Sequence, residues 1–151
     1  MIKVINMKIA IGSDHGGFLL KEDLKQYLLD KGFDVTDVGT HSLDSCHYPE
    51  FAIKVGNLVS NGECKYGVIV CTTGEGVTMA ANKIKGVRAG LAYNVDVARL
   101  MREHNDANVI AFGAKFINTD EALAMLQEFL NANFLGGRHE IRVQMIKDLD
   151  N

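Results

Sequence analysis

Apolar residues return along this chain in two alternating rhythms. Five short runs are dense in β-branched and other apolar side chains: Met7–Ile11, Phe33–Val38, Tyr66–Cys71, Val87–Ala92 and Val109–Phe112. Their length and composition predict strands. Between them the period changes. Phe18, Leu19, Leu24, Tyr27, Leu28 and Leu29 recur near helical spacing, and Gly32 follows as a stop signal. Phe51, Ile53, Val55, Leu58 and Val59 form a second, less regular set. Val97, Leu100 and Met101 form a third, and Ala122, Leu123, Leu126 and Leu130 a fourth. A short helix is expected from about Val77 to Lys83, and a last one from about Arg138 to Leu149. Five strands alternating with helices predict an α/β fold: a parallel, doubly wound five-stranded sheet with helices on both faces. The unbroken apolar run Val68–Val70 suits a sheet covered on both sides. No linker or repeat divides the chain, so residues 1–151 are read as a single domain. Residues 1–6 are read as a short N-terminal extension, and the last helix occupies the segment from about 136 to 151.

Composition narrows the function classes. A net charge of −3 argues against nucleic acid as the main partner. No apolar run has the length of a membrane span, and the first residues lack the apolar stretch of a signal peptide. Three cysteines at irregular spacing make no disulfide framework, so a reducing cytoplasm is the expected setting. No Cys-x-x-Cys, His-x-x-x-His or His-Glu-x-x-His spacing occurs, and no metal is expected.

In doubly wound sheets, ligands bind beyond the carboxyl ends of the strands. Two informative segments fall there. After the first strand, Gly12-Ser-Asp-His-Gly-Gly17 would stand Asp14 and His15 at the mouth of a site; equally, Asp14 could simply cap a turn or helix. After the third strand, Cys71-Thr-Thr-Gly-Glu-Gly76 combines a thiol with a Gly-rich turn that opens a helix. Such a turn can cradle an anion on backbone N–H groups, and it favours a thiolate base or nucleophile at Cys71. The bland alternative is a buried strand cysteine. A dinucleotide fingerprint fits poorly, because Met79 stands where a third Gly belongs. Two further segments are ambiguous by themselves. His104 opens His-Asn-Asp-Ala-Asn108 and can be a proton carrier or a helix-end residue. Arg138 and Arg142 sit one helical turn apart, as a phosphate clamp or a solvated edge.

Taken together, these segments resemble the ribose-5-phosphate isomerase B family, which includes relatives acting on six-carbon aldose phosphates. The matching stretches run from Lys8-Ile-Ala-Ile-Gly-Ser-Asp-His-Gly-Gly-Phe18 through Gly39-Thr-His-Ser42, Tyr48-Pro49, Cys71 to Gly76, Ala80-Ala-Asn-Lys83 and Arg-Glu-His-Asn-Asp-Ala-Asn108 to Gly136-Gly-Arg-His139 with Arg142. The resemblance implies a Rossmann-like fold, no metal and no organic cofactor. It implies a homodimer, often a dimer of dimers, whose subunits share each active site. By the same resemblance Cys71 is the proton-shuttling base and His104 opens the sugar ring; Thr73 is expected to assist by a hydrogen bond near the thiol. Asp14, His15, Tyr48, Thr72, Gly74, Glu75, Gly76 and Asn105 fall at sugar-binding positions. Arg138 and Arg142 fall at phosphate ligands, and Lys115 stands where a third basic ligand is often Arg. Cys46 and Cys64 are expected to be dispensable.

Four positions depart from the family pattern. Thr72 replaces the Gly of Cys-Gly-Thr-Gly, and a β-branched residue is costly if that position needs positive φ. Glu75 adds a carboxylate beside the thiol and is a rival base; the members that use Glu carry it at the position of Val77. His47 replaces an Asp before Tyr48, and Lys115 replaces Arg. The resulting expectation is interconversion of ribose 5-phosphate and ribulose 5-phosphate. The alternatives are a six-carbon aldose 6-phosphate (allose or galactose), a phosphate-binding module without turnover, and a hydrolase with Cys71 as nucleophile.

Overall fold

The computed structural model describes residues 7–150; the extension read over residues 1–6 lies outside them. Five strands form one sheet: β1 (Lys8–Ser13), β2 (Asp34–Asp37), β3 (Tyr66–Cys71), β4 (Ala89–Leu91) and β5 (Val109–Gly113). Every pairing is parallel and the order is β2-β1-β3-β5-β4. The helices are α1 (Phe18–Asp30), α2 (Tyr48–Ser60), α3 (Glu75–Ala81), α4 (Val95–Glu103), α5 (Thr119–Asn131) and α6 (Arg138–Lys147), with a single 3₁₀ turn at His15–Gly17. The expected architecture is therefore the one found, with element ends shifted by one or two residues. α3 starts at Glu75 rather than Val77, because Gly74 takes φ +80° and turns the chain directly into the helix.

Strand alternation divides the core. Ile9, Ile11, Val68, Val70, Ile110 and Phe112 face α1, α4 and α5, burying Leu24, Met101, Leu126 and Phe129 against them. The intervening Ala10, Ile69, Cys71, Val109 and Ala111 face α2 and α3. Small residues on that second face let α2 lie close: Val55 packs directly over Gly67 of β3. Connectivity reverses between β1 and β3, which are neighbours although the chain visits β2 between them. That reversal opens a crevice at their carboxyl ends, where the segments after Gly12 and after Cys71 meet.

A buried charge cluster braces the rim of this crevice, and nothing in the apolar pattern announces it. Lys21 of α1 is fully buried. Its ammonium lies 2.9 and 2.7 Å from the two oxygens of Asp37, which also accepts from the Gly39 amide at 2.9 Å and from Lys25 at 3.0 Å. Burial alone would raise the Asp37 carboxyl; the hydrogen bonds from Lys21, Gly39 and Lys25 outweigh it and hold it below its ordinary 3.8. A carboxyl depressed in the folded state stabilises the fold above its unfolded pKa and loses that contribution as pH falls through the acid range, from about pH 4 downward. Lys21→Met should therefore cost about 3 kcal/mol, since it strands a buried carboxylate. Lys25→Met, at a half-exposed position, should cost about 1 kcal/mol or less. Urea unfolding of the three proteins at neutral and at acid pH checks this. The Lys21→Met deficit should shrink toward acid pH; a deficit independent of pH would assign the loss to packing.

Candidate active site

The carboxyl edge of the sheet gathers one group of the expected residues. Asp14 directly follows β1, is buried, and caps the following turn by accepting from the Gly17 amide at 3.1 Å. The capping role that the sequence leaves open is thus real, and it uses one carboxylate oxygen. His15 follows, half-buried, and its Nδ1 accepts from the Cys46 amide at 3.2 Å. Cys71 ends β3 opposite Gly113 of β5. Its sulfur is buried and accepts from the Gly74 amide at 3.2 Å, an orientation that suits negative charge on sulfur.

The loop after Cys71 is organised by its own groups. The Glu75 amide donates to Thr73 Oγ1 at 3.2 Å, while Lys115 and Ala114 donate from their amides to Thr72 O and Cys71 O at 3.1 and 2.9 Å. Two amides of the expected anion cradle, those of Gly74 and Glu75, are thus engaged within the loop. Among the described residues Asp106 is the one non-glycine with positive φ, so Thr72 carries no such strain. Its hydroxyl packs against Gly16, where a side chain would collide with it. Tyr48, at the start of α2, lays its ring against Gly76. Glu75 is exposed in the first turn of α3. Lys115 has no ion-pair partner among the described residues.

The second group lies at the opposite edge. His104 is the C-cap of α4, and the turn after it leads into the start of β5. That turn is built by charge. Asp106, with φ +49°, accepts from Arg102 at 2.9 Å and Arg88 at 3.2 Å. Asn108 closes the turn from its side chain, accepting from the Arg88 amide at 2.8 Å and donating to Gly86 O at 2.8 Å. Much of the polar His-Asn-Asp-Ala-Asn segment therefore serves to fix His104 and Asn105. Leu135 donates to Glu103 O at 3.0 Å, bringing the start of α6 alongside. There His139 stacks on His104, with ring centres 4.2 Å apart and planes 12° from parallel. The sequence motif contains His139 but assigns it no role in the site; its signal is adjacency to Arg138. Desolvation, then the neighbouring His104, Arg138 and Arg142, lower the His139 pKa below 6.5. Arg138 and Arg142 are exposed, one turn apart on α6, and neither has an ion-pair partner among the described residues.

The two groups do not meet in one chain. His104 precedes β5 whereas Cys71 pairs with its last residue, and the strand between spans roughly 13 Å at about 3.3 Å per residue. Among the described residues no cluster of three or more His, Cys, Asp or Glu side chains is placed to hold a metal ion. No described helix is long and apolar enough to cross a membrane.

Known proteins share this frame. The ribose/galactose isomerase family matches residues 9–146. The chain belongs to that family. Among curated members of this ribose/galactose isomerase family, ribose-5-phosphate isomerase B of Escherichia coli K12 is 40% identical over 143 residues, covering 95% of this chain and 96% of its own length. Among solved structures, ribose-5-phosphate isomerase B of Clostridium thermocellum superposes with a TM-score of 0.94 at 46% identity, over 95% of this chain and 97% of that one. The enzyme of Mycoplasma genitalium, solved with bound ribulose-5-phosphate, has a TM-score of 0.91 at 40% identity and covers 95% of both chains. The doubly wound α/β fold read from the strand and helix pattern is thus the fold of the family.

Proposed function

We propose that this isomerase interconverts ribose 5-phosphate and ribulose 5-phosphate through a cis-enediolate, without metal or organic cofactor, in a reducing cytoplasm. The observation that carries the reading is the Cys71 thiol at the central crevice with the Gly74 amide 3.2 Å from its sulfur. A base there can take the C2 proton of an open-chain aldose and return it to C1, while a proton passes from O2 to O1. Loop amides left free and the Thr73 hydroxyl support the negative charge that develops on oxygen. His104 handles the earlier step, exchanging protons with the ring oxygen and the anomeric hydroxyl so that the furanose opens. Asp14, His15 and Tyr48 hold the sugar, and Asn105 joins them from the second group. The bound ribulose-5-phosphate in the Mycoplasma genitalium relative favours the five-carbon substrate.

Since one chain separates Cys71 from His104, the working unit in this reading is a homodimer, alone or paired again into a tetramer. One copy contributes Asp14, His15, Cys71 and Lys115; its partner contributes His104, Asn105, Arg138 and Arg142. The last helix supports this arrangement. Only Val143 of α6 is buried, while Ile141 and Met145, four residues apart on the helix, are 69% and 65% exposed, and Leu149 in the turn just beyond it is 82% exposed. An apolar stripe of this kind beside two unpaired arginines suits an isologous interface that carries a phosphate clamp.

Turnover of ribose 5-phosphate, allose 6-phosphate and galactose 6-phosphate side by side tests the reading. Ribose 5-phosphate should give the highest kcat/KM; a preference for either six-carbon sugar would reassign the substrate, and absence of turnover on all three would leave phosphate binding without turnover or hydrolysis at Cys71. In the same assay Arg138→Ala should lower kcat/KM by about ten- to a hundredfold, the cost of one charge-assisted contact remote from the reacting carbons.

A further inference from the structure

The half-buried imidazole of His15, in the turn after β1, has its chemistry set by a loop that the reaction itself does not use. Residues 38–47 leave β2 and fold back across the end of β1. Ser13 donates from its amide to Gly39 O at 2.8 Å, and Thr40 donates to Ser13 O at 2.7 Å. The Gly39 amide is tied to Asp37 at 2.9 Å, and Asp37 in turn to the buried Lys21. Anchored at that end, the loop delivers one backbone N–H, that of Cys46, to His15 Nδ1 at 3.2 Å, with the Cys46 sulfur 3.9 Å from the same nitrogen. A backbone amide can only donate. Nδ1 must therefore offer a lone pair, and in the neutral ring the proton resides on Nε2.

We infer that Cys46 is a positioning residue: its main-chain amide locks His15 in the Nε2–H tautomer, so that His15 meets the sugar as a hydrogen-bond donor to oxygen and not as a base. This inference rests on the isomerase reading for its consequence but not for its geometry. A donor fixed before substrate arrives needs no reorganisation when negative charge builds on a sugar oxygen, whereas a ring free to exchange tautomers would be wrongly protonated part of the time. The lock also gives the two imidazoles different roles. His104 exchanges protons, and His15 holds one.

Imidazole nitrogen NMR on labelled, substrate-free protein tests the lock, at a pH where the ring is neutral. Wild type should show an unprotonated-type shift at His15 Nδ1 and a protonated-type shift at Nε2. Cys46→Ala, which keeps the amide, should show the same pattern. Cys46→Pro, which removes the N–H, should move both shifts toward the average of mixed tautomers. Its kcat/KM on ribose 5-phosphate should fall about five- to tenfold, as for the loss of one hydrogen bond, with the loss mainly in KM. A proton on Nδ1 in wild type overturns the inference, even if the proline variant fails to fold. So does a Cys46→Pro protein with mixed tautomers and unchanged KM. If wild type turns over no sugar phosphate, the isomerase reading fails while the tautomer measurement still decides the lock.

Discussion

Cys71→Ala should lower kcat for ribose 5-phosphate by about two to four orders of magnitude, the range associated with losing a positioned proton carrier. The substitution is structurally mild. The side chain is small, buried among Ile69, Ala111 and Val77 on one face of the sheet, and Ala fits the same strand. Loss of activity without loss of fold would assign the effect to chemistry. The rival base is Glu75, one of the departures from the family pattern. It is exposed at the start of α3 and its amide is committed to Thr73, so Glu75→Gln should change kcat by less than about tenfold. Near-normal turnover by Cys71→Ala with loss in Glu75→Gln would name Glu75 as the base. Substitution is a sharper tool than alkylation. The Cys46 sulfur lies 3.9 Å from His15, so a group added to that thiol would crowd the site as well, although its own side chain is expected to be dispensable.

His104→Asn should produce a different defect. Asn is tolerated at a helix end, and the turn beyond it is held by Asp106 and Asn108 rather than by the imidazole. Ring opening should suffer: turnover of cyclic ribose 5-phosphate should drop about a hundredfold or more. Ribulose 5-phosphate cannot close a furanose ring, because its 5-hydroxyl carries the phosphate. Exchange of its C1 proton in deuterated water therefore isolates the Cys71 step, and the His104→Asn protein should retain that exchange within about tenfold of wild type. Exchange abolished as thoroughly as in Cys71→Ala would mean that the two residues share one step.

The architecture is legible in the sequence because period and punctuation agree. Val68–Val70 is a strand covered on both faces, and Gly32 does end the first helical stretch, with φ +89°. Strand order is not legible: no local signal says that β5 lies between β3 and β4. The candidate residues stand out through their motifs, and chain order already sets Cys71 at the end of the third strand and His104 just before the fifth; the approach of α6, which stacks His139 on His104, is a tertiary fact. Lys21 escapes a sequence reading because a lysine in an amphipathic helix ordinarily reaches solvent. Here its partner, Asp37, comes from β2, sixteen residues on. Thr72 shows the reverse error. Its expected strain rests on a Gly in the family pattern, and the turn places positive φ two residues later, at Gly74.

The two-copy site is the central claim, and subunit complementation tests it directly. Cys71→Ala and His104→Asn chains should each be nearly inactive on ribose 5-phosphate. Dissociated, mixed in equal amounts and reassociated, they form mixed dimers for about half of the population, by random pairing around a two-fold axis. In each mixed dimer one site combines both lesions, and the other pairs an intact Cys71 from one copy with an intact His104 from its partner. Activity should return to about a quarter of the wild-type value. If mixing restores nothing although mixed dimers are shown to form, Cys71 and His104 act from the same chain, and the two-copy site is wrong.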